Sequence, residues 1–301
     1  MEASGMKHWP RITVITPSFN QVDFLERTIC SVLDQQYPVL EFFVIDGGST
    51  DGSVDLIQHY AHQLDWWESA PDGGQTEALN KGLARATGDI IAFLNSDDLY
   101  LPHALRTVGQ MMSGADGPRW VVGKCLHVDE EDEQIDVMFA KEPDSFAEYL
   151  MRTDGLLPQP SSFWSAELFD QCGGFDEALH PSFDYEWNCR LLAHGERPTI
   201  VDEPLAAFRV HAQAKGVAMA DQFEPARQVV ARRYARALSV AERLQLHRNL
   251  GYRQRLTAID RANREGIEGL WSSVRRRPWW LASQEIRTAL RSGDAAERKA
   301  A

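Results

Sequence analysis

Residues 11–20 read Arg-Ile-Thr-Val-Ile-Thr-Pro-Ser-Phe-Asn, and the fold is decided by the segments on either side of that break. Arg11 to Thr16 is a short β-branched run, the composition of a strand. Val22 to Leu33 then places Phe24, Leu25, Ile29, Val32 and Leu33 at helical spacing, and Gln35-Gln36-Tyr37-Pro38 closes the helix. The alternation continues. Leu40 to Ile45 is a second buried strand, ending at Asp46-Gly47-Gly48-Ser49-Thr50-Asp51-Gly52, and a helix runs from Ser53 to about Gln63. Trp66 to Ser69 is a shorter strand. The turn Pro71-Asp72-Gly73-Gly74 leads into a helix over Thr76 to Ala86, and Ile90 to Leu94 is a fourth strand, ending at Asn95-Ser96-Asp97-Asp98.

Four rounds of strand and helix predict an α/β fold with a parallel sheet covered on both faces. Ligands of such sheets bind beyond the carboxyl ends of the strands. The polar clusters Thr16–Asn20, Asp46–Asp51 and Asn95–Asp98 stand at those ends, so three loops converge on one crevice. From Trp120 the pattern changes. Trp120–Val122, Val128 and Ile135–Phe139 are expected as short strands around an acidic turn, Asp129–Glu133. Helices are expected over Phe146–Met151, Ala166–Gln171 and Tyr185–His194, and an extended segment over Thr199–Val210. From Asp221 the chain reads as helical and Arg-rich, with a break near Gly251. The expected domains are 1–220 and 221–301.

The chain of 301 residues is 44% hydrophobic and 25% charged, the composition of a globular protein. The opening Met1–Arg11 has no apolar core, which predicts no secretory signal. No run reaches the ~18 apolar residues of a membrane span. Cys30, Cys125, Cys172 and Cys189 form no CxxC pair and are expected as free thiols of a reducing compartment. The net charge of −13 is uneven: from Pro225 onward there are 17 Lys and Arg against 7 Asp and Glu. The acidic remainder argues against a nucleic-acid partner.

The first loop carries neither the G-x-G-x-x-G of a dinucleotide fold nor the G-x-x-x-x-G-K-[ST] of a P-loop. Asn95-Ser96-Asp97-Asp98 offers hard oxygen ligands at a strand end, which suits a divalent cation that also holds phosphates; Asp97 or Asp98 could equally cap a helix. In the second loop, glycines let the backbone approach a ligand, and Asp46 could accept a hydrogen bond from a nucleobase N–H.

The blocks T-P-S-F-N-Q (16–21), I-D-G-G-S-T-D-G-S (45–53), P-D-G-G-Q-T-E-A-L-N-K-G (71–82) and F-L-N-S-D-D (93–98) occur in this order and spacing. The chain resembles family 2 glycosyltransferases of the GT-A fold, from about Arg11 to His211. The resemblance implies an inverting transfer of a sugar from a nucleotide-diphosphate donor, UDP by default, to a glycan, lipid-linked or other hydroxyl acceptor. By the same resemblance, Pro17, Ser18, Asn20, Asp46, Asp72, Asn80, Lys81, Asn95 and Ser96 belong to the donor site. Asp97, with Asp98 beside it, would hold Mn²⁺ or Mg²⁺; Asn95 stands where the family has the first Asp of its D-x-D. His211 resembles a histidine that closes over the metal or pyrophosphate, and Lys215 is a further phosphate candidate.

Phe183-Asp184-Tyr185-Glu186-Trp187 resembles the family's catalytic block, which makes Asp184 the expected general base, deprotonating the acceptor hydroxyl. Trp164 and Trp187 are expected in the core, and His127, His180 and His194 as structural or surface residues. The competing readings are a non-catalytic nucleotide-sugar binder on the same fold and a nucleotidyltransferase, whose Arg- or Lys-bearing glycine loop is missing from Thr16–Asn20. The Arg-rich tail is expected to pack on the body or on a second subunit, giving a homodimer. Its Leu270–Leu281 stretch, with Trp beside an Arg cluster, also suits an anionic membrane. The expected location is the cytoplasm, including the inner face of its membrane.

Overall fold

Strand β1, Ile12–Ser18, is buried at every position. It stands between two parallel neighbours, β2 (Leu40–Asp46) and β4 (Ile90–Phe93). A strand covered on both faces needs apolar residues at successive positions rather than at alternate ones, which accounts for the runs in these segments. Helix α1, Val22–Leu33, buries Phe24, Leu25, Ile29 and Val32 against them. Helices α2 (Ser53–Tyr60) and α3 (Gln75–Leu83) complete the next two crossovers, with β3 (Trp66–Ser69) between them.

The computed structural model describes residues 9–152, 156–215, 220–265 and 267–300. Residues 1–8, on which the expectation of no secretory signal rests, lie outside them. The sheet has nine strands in the order β3-β2-β1-β4-β8-β6-β9-β5, with β7 (Gln134–Met138) paired to β6 off this path. The first four run parallel. Beyond β4 the sheet becomes mixed: β8 (Ser162–Ser165) pairs antiparallel with both β4 and β6 (Trp120–Val128). Strand β9 (Thr199–Arg209) runs parallel to β6, and the short β5 (Leu99–Tyr100) pairs antiparallel with β9.

The pieces expected at Trp120–Val122 and Val128 are one nine-residue strand, β6. Its ladder to β9 shifts register around Lys124, which is what breaks its hydrophobic pattern. Helices α4 (Ala104–Met111), α5 (Phe146–Met151), α6 (Ala166–Cys172) and α7 (Phe183–Ala193) flank this half. Trp120, Trp164 and Trp187 are fully buried in it.

Helix α8, Ala220–Tyr234, belongs to the first of two compact units, which divide after Tyr234. The expected boundary after 220 would have cut it away. The second unit holds α9 (Val240–Glu265), α10 (Glu268–Arg276) and α11 (Gln284–Ala300). Its own core gathers Ile267, Leu270, Val274, Trp280, Ile286 and Leu290. Helix α9 passes through Gly251 without the expected break; one glycine costs a helix only about 1 kcal/mol. Among the described residues no helix is long and apolar enough to cross a membrane.

Candidate active site

The loops after β1 and β2 are laced together. Thr50 N donates to Asn20 Oδ1 at 2.9 Å, and Asn20 N to Ser49 Oγ at 2.7 Å. Asp46 is 1% exposed, and its carboxylate is spent inside this loop. Gly48 N, Ser49 N and the Ser69 hydroxyl all donate to Oδ2, and Ser49 Oγ donates to Oδ1. This turn needs Gly48 at φ +85°, a conformation that side chains disfavour. Oδ2 is fully used by its three donors, while Oδ1 accepts one hydrogen bond. The carboxylate shapes the loop and is not on the lining of the neighbouring cavity, where a base contact was expected of it.

Pro17, Ser18, Phe19 and Gly47 line a cavity of about 570 Å³ at the strand ends, together with Asp72, Asn95, Ser96 and Asp97. The Asp72 carboxylate lies over Gly47: a Cβ there would meet Asp72 Oδ1 at 3.1 Å and the Phe19 ring at 3.3 Å. Phe19 is 59% exposed, an aromatic face left open in the cavity. Its signal was present in the T-P-S-F-N block, as an aromatic among polar loop residues. Asn20, Asn80 and Lys81 are not on the cavity lining. Asn80 holds the Phe175 backbone and Glu177, and Lys81 pairs with Glu68 and Glu77.

The carboxylates of Asn95-Ser96-Asp97-Asp98 part company. Asp98 is fully buried. Its Oδ1 accepts from Arg209 N at 3.1 Å and its Oδ2 from Asn95 Nδ2 at 3.1 Å. Burial, with Asp97 beside it, pushes its carboxyl well above the usual range. It is a structural acid, and the expectation of a metal ligand there is corrected. Asp97 lines the cavity, and its Oδ2 lies 3.0 Å from His211 Nε2. His211 is 4% exposed, and its buried Nδ1 has no hydrogen-bond partner among the described residues. Among the described residues no three His, Cys, Asp or Glu side chains cluster as metal ligands. The donor set is one carboxylate and one imidazole. It fits a divalent cation that takes its remaining ligands from phosphate oxygens and water.

A second cavity of about 300 Å³ adjoins the first, sharing Gln75, Asn95, Phe208 and Lys215 with it. Asp184 lines this second cavity, at the first turn of α7. One of its oxygens accepts from Tyr185 N at 2.8 Å; the helix begins at Phe183 with Ser182 at its N-cap position, so Asp184 lies inside the first turn and is not the cap. Helix α7 is pinned from behind by Glu186, which is 1% exposed. Glu186 accepts from Tyr234 Oη at 2.5 Å and Arg233 at 3.5 Å, and forms an ion pair with Arg190. Arg233 also bonds Asp176 and holds that carboxyl below its usual range. Helix α8 thus fixes the helix that carries Asp184.

His180, expected as structural or surface, lies on the wall of the larger cavity, where burial and the Lys215 charge lower its pKa. Lys215 donates to Gln75 Oε1 at 2.7 Å and to the His180 carbonyl at 2.8 Å. Nothing in the sequence joins Lys215 to Gln75; 140 positions separate them.

Residues 13–155 match the family described as Glycosyl transferase family 2. An uncharacterized glycosyltransferase of Mycobacterium tuberculosis is 34% identical over 196 residues, covering 64% of this chain and 72% of that protein. Among solved structures, Staphylococcus aureus TarS 1–349 in complex with UDP-GlcNAc aligns with a TM-score of 0.61 and 17% identity, over 93% of this chain and 78% of that one. The mannosyltransferase PcManGT of Pyrobaculum calidifontis, in complex with GDP-Man and Mn²⁺, aligns with a TM-score of 0.53 and 18% identity, over 94% and 84% of the two chains. These likenesses speak for the fold, and the sequence relative speaks for the family. With its parallel half, its cavity at the strand ends and its kinship along most of the mycobacterial protein, the chain is a glycosyltransferase of the GT-A fold and belongs to glycosyl transferase family 2.

Proposed function

We propose that this glycosyltransferase moves a sugar from a nucleoside-diphosphate donor, UDP by default, to an acceptor hydroxyl with inversion at the anomeric carbon. The observation that carries this reading is the pair of adjoining cavities. Phe19, Asp72 and Asp97 lie on the walls of one, Asp184 on the wall of the other, and four residues are common to both.

In this reading the larger cavity takes the donor. Phe19 stacks on the nucleobase, and Asp72 faces its polar edge in the role first expected of Asp46. Asp97 and His211 would hold a divalent cation, Mn²⁺ or Mg²⁺, which neutralises charge on the diphosphate when bound. The smaller cavity takes the acceptor, a glycan or a lipid-linked sugar. The Asp184 carboxylate removes the proton from the attacking hydroxyl, on the face of the sugar opposite the diphosphate. Tyr185 N orients that carboxylate at 2.8 Å.

The first test is calorimetric binding of UDP, GDP and dTDP, each with and without Mn²⁺. Metal-dependent binding of one nucleotide supports the donor cavity. Folded protein that binds none of them overturns it.

A separate observation supports a membrane partner for the second unit. Trp279 is 67% exposed and Leu281 43% exposed, while Trp280 between them is buried in that unit's core. Arg275, Arg276 and Arg277 stand just before them, ahead of Pro278. Exposed Trp beside Arg suits the interface of an anionic bilayer. Full-length protein is expected to sediment with phosphatidylglycerol vesicles, and Trp279→Ser/Leu281→Ser protein to remain in solution. Equal sedimentation of the two would sink the idea.

A further inference from the structure

A nucleoside diphosphate brings negative charge into a cavity whose own walls are acidic. Asp72 and Asp97 line the larger cavity, and among the described residues Lys215 is the only Lys or Arg on that lining. Lys215 also lines the smaller cavity, so it stands at the neck between the two. That neck is where a donor in one and an acceptor in the other would meet.

The ammonium is held by neutral groups. Its Nζ donates to Gln75 Oε1 and to the His180 carbonyl, and lies 5.0 Å from the centre of the Phe183 ring. Among the described residues no carboxylate forms an ion pair with it. An ammonium has three donors, and two are committed. The groups that hold it are themselves anchored. Gln75 donates to Asn95 Oδ1 at 2.5 Å. His180 belongs to the turn Glu177–Ser182 that runs directly into the Asp184 helix. One N–H is thus left over, on a charge with no ion-pair partner among the described residues. Burial pushes Lys215 down to about 8, against the pull of Asp184. Such a group gains by acquiring an anionic partner.

We propose that Lys215 is the protein cation that meets the departing diphosphate, at the neck between the donor and acceptor cavities. The proposal rests on the donor-cavity reading above. In the transfer step the bond from the anomeric carbon to the phosphate oxygen breaks, and its electron pair stays on that oxygen. The acceptor oxygen forms the new bond to the carbon, and its proton passes to Asp184. Lys215 keeps its three protons. It gives one hydrogen bond to the diphosphate, stronger as negative charge gathers there, which is the condition for lowering the barrier rather than only tightening binding.

The test uses Lys215→Met and Lys215→Arg in the full chain, with binding of UDP, GDP, dTDP and their nucleosides read by calorimetry or displacement. For the nucleotide that the unaltered protein binds, Lys215→Met is expected to lose about 10- to 100-fold in affinity. Nucleoside affinity should hold, and Lys215→Arg should recover most of the loss. A lysine that merely props the neck would weaken nucleoside and nucleotide equally. That result, or unchanged nucleotide affinity, overturns the proposal and leaves the donor cavity standing. Unaltered protein that binds none of the three nucleotides overturns both.

Discussion

The Nε2 of His211 lies 3.0 Å from Oδ2 of Asp97, across 114 positions of chain. The end of β9 delivers the imidazole to the loop after β4, and Arg209 in the same segment bonds the Asp97 carbonyl at 2.9 Å. If this pair holds the cation, Asp97→Ala and His211→Ala should each remove most of the gain in UDP affinity that Mn²⁺ confers, about tenfold or more. Binding without metal should change little. Calorimetry with and without Mn²⁺ measures both, and a variant that keeps the full metal gain refutes the assignment.

Asp184→Asn is nearly isosteric and keeps the oxygen that receives Tyr185 N. It should bind nucleotide as the unaltered protein does, while turnover falls by about 10²- to 10⁴-fold. Transfer assays beside calorimetry separate the two effects. Full activity in this variant would remove Asp184 as the base.

Asp46 and Asp72, both expected in the donor site, should separate. Asp46→Ala leaves two half-buried amides and two hydroxyls without their acceptor, at a cost of about 2–4 kcal/mol. Its thermal unfolding midpoint should drop. Asp72→Ala loses one loop bond, to Gly74 N, and should cost about 1 kcal/mol or less while weakening nucleotide binding. Equal stability losses in the two would contradict the geometry.

Lys215 gives affinity and stability opposite trends with pH. Its pKa falls from 10.5 to about 8 on folding. Nucleotide binding needs the ammonium, so affinity should decline as pH rises through about 8. The unfolded chain keeps this proton up to 10.5, so between the two values it binds more protons than the folded chain, and this residue's contribution to stability rises with pH. Denaturant melts and nucleotide titrations from about pH 7 to 10 test both slopes, and Lys215→Arg should flatten both.

The N-terminal half was largely legible in the sequence because its signals are local. β1 and β2 are rich in β-branched and apolar residues, β4 is wholly apolar, and α1 has the expected bounds, Val22–Leu33. What was not legible depends on partners far along the chain. Asp97 and Asp98 are adjacent and chemically identical. Arg209, 111 positions from Asp98, anchors that residue's carboxylate in the core, while Asp97 faces the cavity. Asp46 looked available because its motif is polar, but the donors that consume it include Ser69, on another strand. The place of Lys215 rests on contacts to Gln75 and His180 that no spacing rule connects.

The sheet changes sense between β4 and β8, and that seam also divides much of the lining of the two cavities. Phe19, Asp72 and Asp97 come from the parallel half. Tyr149, Phe183, Asp184 and Phe223, on the walls of the smaller cavity, come from the later half of the chain. The division is incomplete, because His180 and Lys215 of the later half also line the larger cavity and His211 contacts its Asp97, so an exchanged second half would have to keep those three positions for the first cavity to stay intact. A laboratory chimera spliced in the helix Ala104–Met111 makes that exchange in one step. Its vulnerable joint is Arg209, whose backbone and guanidinium together secure the loop Asn95–Asp98. A grafted second half that lacks an arginine there would inherit a donor site it cannot hold in shape.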